Sequence, residues 1–157
     1  MAEFTYQWTN ECRMNTIANG EEGEEIDLCA GNNFKKRRVK EGDTVYVIAT
    51  WQGPVFLIGR MRVKKLLARK DWLKKNPGYS LWDGDEVIVG EKGTPMRTEF
   101  AIPPDVLRKL RFLDPKGQEK RLKMAVDGTL DNAQSIRSVR RLSPKSAELL
   151  DGLLDNS

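Results

Sequence analysis

The chain has 157 residues, 27 Lys and Arg against 23 Asp and Glu, two Cys and no His. That length suits a single domain with a core of its own, and no apolar run approaches the roughly 18 residues a membrane-spanning helix needs. The missing imidazole excludes Ser-His-Asp and Cys-His catalysis, HExxH sites and His-based zinc sites, and two Cys cannot build a Cys-only zinc site. No metal or other cofactor is expected. Met1 to Tyr6 shows no basic patch followed by an apolar run, so the start does not read as a secretion signal, and Cys12 and Cys29 are expected to be reduced thiols in a cytoplasmic protein.

The net charge of +4 averages two unlike parts. Residues 1–31 carry seven acids and one base, Arg13, and the remainder carries 26 bases and 16 acids. The densest cluster is Lys35-Lys36-Arg37-Arg38, followed by Lys40. A second runs from Arg60 to Lys75, with eight bases and one acid, Asp71. Clustered cations are the electrostatic footprint of a protein that binds a polyanion.

In chain order, Phe4, Tyr6 and Trp8 alternate with Glu3, Thr5, Gln7 and Thr9, which predicts a strand with one aromatic face. Residues 10–25 are polar and rich in Gly and Glu, and read as a loop. The spacing of Ile26, Cys29, Ala30 and Phe34 suggests a short helix. After a turn at residues 39–43, Thr44 to Trp51 and Val55 to Val63 read as paired strands around Gln52-Gly53-Pro54, with a bulge or a close backbone approach at Gly59. Residues 65–75 read as a basic amphipathic helix ended by Asn76-Pro77-Gly78. Short strands are expected at Tyr79 to Trp82, Glu86 to Val89, Thr98 to Ile102, Leu122 to Val126 and Ile136 to Leu142. A helix is expected over Asp105 to Phe112. A last one runs from Pro144 to Leu154, capped by Ser143. The interspersed hairpins and short helices predict a single α+β domain over residues 1–157 around a small curled sheet, with residues from about 103 onward packed on it as an extension.

Four Trp stand at positions 8, 51, 72 and 82. Trp8, Trp51 and Trp82 fall at element ends, where they could line an open pocket and stack on a base, each worth about 1–3 kcal/mol. Rim packing with a satisfied indole N–H is the alternative. Lys35, Lys36, Arg37 and Arg38, with Arg60, Arg62, Lys64 and Lys65, are the candidates for contacts to a nucleic-acid backbone. For an enzyme, Asp114-Pro115-Lys116 is the nearest approach to a carboxylate-metal nuclease motif, without an evident partner acid. Gly90 to Thr94 lacks the length and ending of a phosphate loop. No catalytic residue is assigned.

Three stretches taken together, Ala30-Gly31-Asn32-Asn33-Phe34, Val39-Lys40-Glu41-Gly42-Asp43-Thr44-Val45-Tyr46 and Phe56-Leu57-Ile58-Gly59-Arg60-Met61-Arg62-Val63, resemble the PUA-like superfamily, and especially its EVE and YTH branches. The resemblance covers residues 4–65; the C-terminal part resembles bacterial proteins of similar size and brings no function with it. It implies a curled mixed β pseudo-barrel with peripheral short helices and a pocket that takes a flipped, methylated base in an aromatic cage. On that resemblance Trp8 matches the family's early Trp, Asn10 is its polar neighbour, Asn32 or Asn33 matches the helix position, and Trp51 and Trp82 are cage candidates by position. Where EVE members often carry an aromatic-His-Ser sequence, this chain has Ile48-Ala49-Thr50.

The expected function is non-catalytic binding of DNA or RNA, with one modified base read in an aromatic pocket. A protein- or small-ligand-binding regulatory domain is the alternative, and a His-independent ribonuclease of the ASCH type, in the same superfamily, is the third.

Overall fold

The computed structural model describes residues 1–78, 84–132 and 136–156. The alternation at the start of the chain produces β1 (Glu3–Trp8), whose Phe4, Tyr6 and Trp8 all pack into one core. A helix follows where the sequence reads as a loop: α1 (Asn10–Ala18), capped by Thr9, whose hydroxyl accepts the Cys12 N–H at 3.1 Å. Its buried residues are Arg13 and Thr16, so the inward stripe is polar and the apolar-periodicity signal is lost. The helix expected over Ile26 to Phe34 is instead β2 (Leu28–Gly31), with Cys29 and Gly31 buried. Long-range pairing decides between two periods that a short apolar run cannot separate.

β3 (Thr44–Thr50) and β4 (Val55–Ala68) form the expected hairpin. Val45, Val47 and Ala49 face the core that holds β1's aromatics, while Tyr46 and Ile48 face a second core on the other side. The register of the hairpin slips where Val47 opposes Gly59 and Ile48 opposes Leu57, so Ile58 is the extra residue of a bulge. The close approach is present as well: a Cβ on Gly59 would stand 3.0 Å from the Thr94 hydroxyl and 3.2 Å from Ile26 Cγ2. β4 outruns its expected length. It pairs with β3 up to Arg62, slips again between Val63 and Lys65, and continues to Ala68 beside β5 (Glu86–Glu91). Leu66 and Leu67 are thus strand residues, and only Arg69–Lys75 is helical, as α2, with Trp72 buried against Val87.

The remaining elements are α3 (Pro104–Lys109), β6 (Arg111–Leu113), β7 (Glu119–Arg121), β8 (Val139–Leu142) and α4 (Pro144–Asp155). Phe112, expected to end a helix, lies in β6. Two expected strands reduce to isolated bridges, Phe56 to Ala101 and Met124 to Leu130. Residues 97–102 nevertheless run extended along β4: the Arg97, Leu57 and Ile102 N–H groups donate to Ile58, Phe100 and Val55 carbonyls at 2.9, 2.8 and 2.8 Å. The strand expected at Tyr79 to Trp82 lies outside the described residues. Ser143 caps α4 as expected, accepting the Ser146 N–H at 3.2 Å.

Among the described residues the strands join in one sheet, in the order β2-β5-β4-β3-β1-β8-β6-β7. The β1–β3 ladder is parallel and the others are antiparallel. The molecule is therefore α+β, with a curled mixed sheet that stays open at β2 and β7 and short helices at its periphery. β6, β7 and β8, from the C-terminal third, extend this same sheet. One face buries Phe4, Ile26, Phe34, Ile58 and Met61, and the other buries Leu57, Phe112, Leu142 and Leu150 under α3 and α4.

Candidate nucleic-acid interface

The cluster Lys35 to Arg38 lies on a turn whose two ends are fixed in the core. Phe34 is fully buried and Val39 is buried, so the four cations between them are all exposed. Three main-chain bonds hold the turn: Arg37 N–H to Asn33 O at 2.9 Å, Arg38 N–H to Lys35 O at 3.0 Å and Val39 N–H to Phe34 O at 2.9 Å. Asn33 and Arg38 adopt positive φ, 71° and 65°. The Phe34 ring packs at 4.8 Å on Tyr6, which ties the turn to β1.

The start of β5 clamps the turn from the other side. One Glu86 carboxylate oxygen accepts the Phe34 N–H at 2.8 Å, and both reach the Lys35 N–H at 3.3 and 3.4 Å. Asn32 Oδ1 accepts the Asp85 N–H at 2.9 Å. Backbones touch here as well: a Cβ on Gly84 would fall on the Gly31 carbonyl. The result is an open cleft of about 710 Å³ lined by Asn32, Asn33, Lys35, Lys36, Asp85 and Glu86. Glu86 and the Asn32 carbonyl oxygen are occupied in holding the turn. The Lys35 and Lys36 side chains bring positive charge to the cleft.

Asn33 Nδ2 donates to the Ser138 hydroxyl at 3.5 Å, and Ser138 itself has φ 62°. Arg140 stands over the Phe112 ring at 4.3 Å; burial and then the charge of Arg37 draw its guanidinium below the usual arginine value. Arg140 lies on the face of β8 that carries Leu142, across the sheet from the Tyr6–Phe34 contact, and Arg37 reaches it through charge alone. Arg140 was not among the sequence candidates. The pattern Val139-Arg140-Arg141-Leu142 reads as a half-buried strand, and only the tertiary fold brings its charge within reach of Arg37.

The other candidates are dispersed. Trp8 is buried in the core cluster that also holds Cys29. Burial chiefly, and Cys12 next, push the Cys29 thiol well above its ordinary range. Asn10 lies on α1, where its Oδ1 accepts from Arg13 at 3.1 Å. Trp51 is exposed at the β3–β4 hairpin tip. Trp82 lies outside the described residues. Of the pocket candidates, the cleft therefore gathers Asn32 and Asn33, while Trp8, Asn10 and Trp51 occupy other positions.

The second basic stretch also divides. Arg60 is an ion-pair partner of Asp151 and Asp155 on α4 rather than a free cation; burial opposes its charge, but the Asp151 hydrogen bond and charge hold its pKa above the usual arginine value. Arg62 is half-buried, with Nη2 3.9 Å from Met1 Sδ. Lys64 and Lys65 are exposed at the second slip of β4. Among the described residues no group of three or more Cys, Asp or Glu side chains is placed to hold a metal ion, and no helix is long and apolar enough to cross a membrane.

No family model matches the chain, and no curated protein matches it. Among solved structures it is similar to a hypothetical protein from Leishmania major, with 12% identity over 99% of this chain and 96% of that one and a TM-score of 0.53. The likeness is one of fold. It is also similar to ASCH from Zymomonas mobilis, with 13% identity, 97% and 95% of the two chains covered and a TM-score of 0.44. A mutant of that protein gives 12% identity, 98% and 99% coverage and a TM-score of 0.46.

Proposed function

We propose that the chain is a PUA-like domain that binds nucleic acid without catalysis. Lys35, Lys36, Arg37 and Arg38 position the phosphates, and the cleft at Asn32 and Asn33 receives one unstacked base. The observation that carries this reading is the cation-bearing turn. Its buried ends leave four positive side chains exposed, and two of them, Lys35 and Lys36, line a polar cleft. A methylated base is the preferred occupant, with Trp82 as the aromatic candidate; Trp51, exposed at the β3–β4 hairpin tip, stands apart from the cleft and is no part of this reading.

The test is fluorescence anisotropy with single-stranded oligonucleotides, methylated and unmethylated, across a salt series. Neutralising a phosphate contributes about 0.7 to the slope of log K against log salt for single strands, so four cations give a slope of about −2.8. Replacing Lys35, Lys36 and Arg37 with Gln should flatten that slope by about 2. Absence of binding at low salt would sink the nucleic-acid reading. Equal affinity for the two oligonucleotides would sink its modified-base part alone.

A further inference from the structure

The cleft between the basic turn and β5 is lined by two cations, Lys35 and Lys36, and by two acids, Asp85 and Glu86, beside Asn32 and Asn33. Its formal charge is therefore zero, and a slot for phosphate alone would not carry carboxylates that repel the group it holds. The two acids are not equivalent. Glu86 spends its carboxylate on the fold, accepting the Phe34 and Lys35 N–H groups. Asp85 does the reverse. Its main chain is fixed on both sides: the N–H donates to Asn32 Oδ1 at 2.9 Å, and the carbonyl accepts the Arg69 N–H at 2.7 Å. Gly84 before it has φ 115° and packs on the Gly31 carbonyl. The Asp85 carboxylate itself is exposed, and among the described residues no cation comes within ion-pair distance of it. The main chain sets the position of this acid, and the fold does not use its charge.

An ionised carboxylate only accepts hydrogen bonds, through two oxygens. On a nucleic acid it cannot meet a phosphate, so its partners are the N–H groups of a base edge. Asn32 supplies the complement. Its oxygen is taken by the Asp85 N–H, which leaves the amide nitrogen as a donor next to the carboxylate. The pair thus offers two acceptors and one donor. Guanine carries the matching edge, with N–H donors at N1 and N2 and an acceptor at O6. Adenine and cytosine offer one amino group beside a ring-nitrogen acceptor. Uracil and thymine set a single N–H between two carbonyl oxygens, one of which the carboxylate would repel. We propose that Asp85 determines the specificity of the cleft and selects guanine, accepting N1–H and N2–H while Asn32 donates to O6. This rests on the reading of the cleft as the receptor of an unstacked base. A methyl group on that base is compatible with the contact only away from N1 and O6.

Fluorescence anisotropy at low salt tests it, with all-uridine single strands that carry guanine, 1-methylguanine, adenine or uracil at one central position. Guanine should bind about ten-fold or more tightly than uracil, the discrimination a bidentate base contact supplies. 1-Methylguanine, which lacks the N1–H, should fall to the level of uracil. Asp85→Asn should bring guanine and uracil to within about three-fold of each other, because an amide cannot accept both N–H groups. The bonds Asp85 makes to the fold are main-chain bonds, so this variant keeps them. Its salt slope should match the parent's, since Asp85 touches no phosphate, and it should bind the all-uridine strand at least as tightly, one repelling charge having gone. Equal binding of the four strands by the parent overturns the selection of guanine and leaves the nucleic-acid reading standing. A guanine preference that Asp85→Asn retains overturns the role of Asp85. Binding to none of the strands removes the nucleic-acid reading and this inference with it.

Discussion

Replacing Asp151 with Ala should destabilise the domain by about 2–4 kcal/mol, and the structure says why. Tyr46 is 1% exposed in the core beneath α4, and its hydroxyl donates to Asp151 Oδ1 at 2.7 Å. Among the described residues the other oxygen it reaches, the Ala147 carbonyl, lies at 3.5 Å and is too far to replace it. Loss of a buried hydrogen bond to a charged acceptor costs about 1.5–3 kcal/mol. The Arg60–Asp151 pair adds less, because its side chains are 25% and 38% exposed and solvent screens them, so about 0.2–1 kcal/mol is appropriate. In a chain of this size each kcal/mol moves Tm by about 2–4 °C, so a drop on the order of 5–10 °C is expected. Urea unfolding followed by circular dichroism measures the same quantity directly. Asp151→Asn keeps an acceptor for the phenol but not the ion, and should cost about half as much. In a double-mutant cycle with Tyr46→Phe the losses should fall short of additive by about 1 kcal/mol or more. A stability for Asp151→Ala within about 0.5 kcal/mol of the parent, or full additivity in the cycle, refutes the argument.

Three further outcomes follow from the same packing. Burial first, then the Asp151 hydrogen bond, hold the Tyr46 phenol well above its ordinary pKa, so its stabilising contribution is complete below about pH 10 and declines as pH rises further; Tyr46→Phe should make the urea midpoint less steeply dependent on pH in that alkaline range. Gly59→Val should cost about 1–3 kcal/mol in urea, because the new side chain meets Thr94 and Ile26 where the β4 bulge brings them close; an unchanged midpoint contradicts that close approach. Phe34→Ala should cost about 3–5 kcal/mol, since the ring is fully buried. It should also speed amide exchange at Arg37 to Val39, whose bonds it anchors; slow exchange there would show that the turn holds without Phe34.

The elements legible in the sequence are those whose local pattern and tertiary role agree. β1, the β3–β4 hairpin with its bulge next to Gly59, and α4 with its Ser143 cap all carry their burial in their own periodicity. The losses have a common cause. α1 is hidden because it turns Arg13 and Thr16 inward; β2 is hidden because only pairing with β5 fixes its period; β4 runs four residues into an expected helix because β5 supplies a partner. The site divides along the same line. The basic turn is visible as a run of four cations, and its location between two buried anchors follows from Phe34 and Val39. Ser138 reaches Asn33 only through the order β3-β1-β8, which no local window contains. Arg60 illustrates the opposite failure: its outward position on a strand is correct, but the charge is met by an acid 91 residues away.

The order of the central strands has a consequence for how the chain is made. β1 is flanked by β3 on one edge and β8 on the other, and β8 spans Val139–Leu142. A nascent chain can dock β1 on the β3–β4 hairpin soon after residue 68 has emerged. The other edge of β1 then has no partner until β8 arrives about 70 residues later, a delay on the order of 4–15 s at ribosomal speeds of roughly 5–20 residues per second. Throughout that interval Phe4 to Tyr6 present an open ladder beside aromatic side chains, a template for pairing with a neighbouring chain. Truncation anywhere ahead of Val139 makes this exposure permanent, so shortened forms should be recovered as aggregates even when the basic turn and the hairpin are intact.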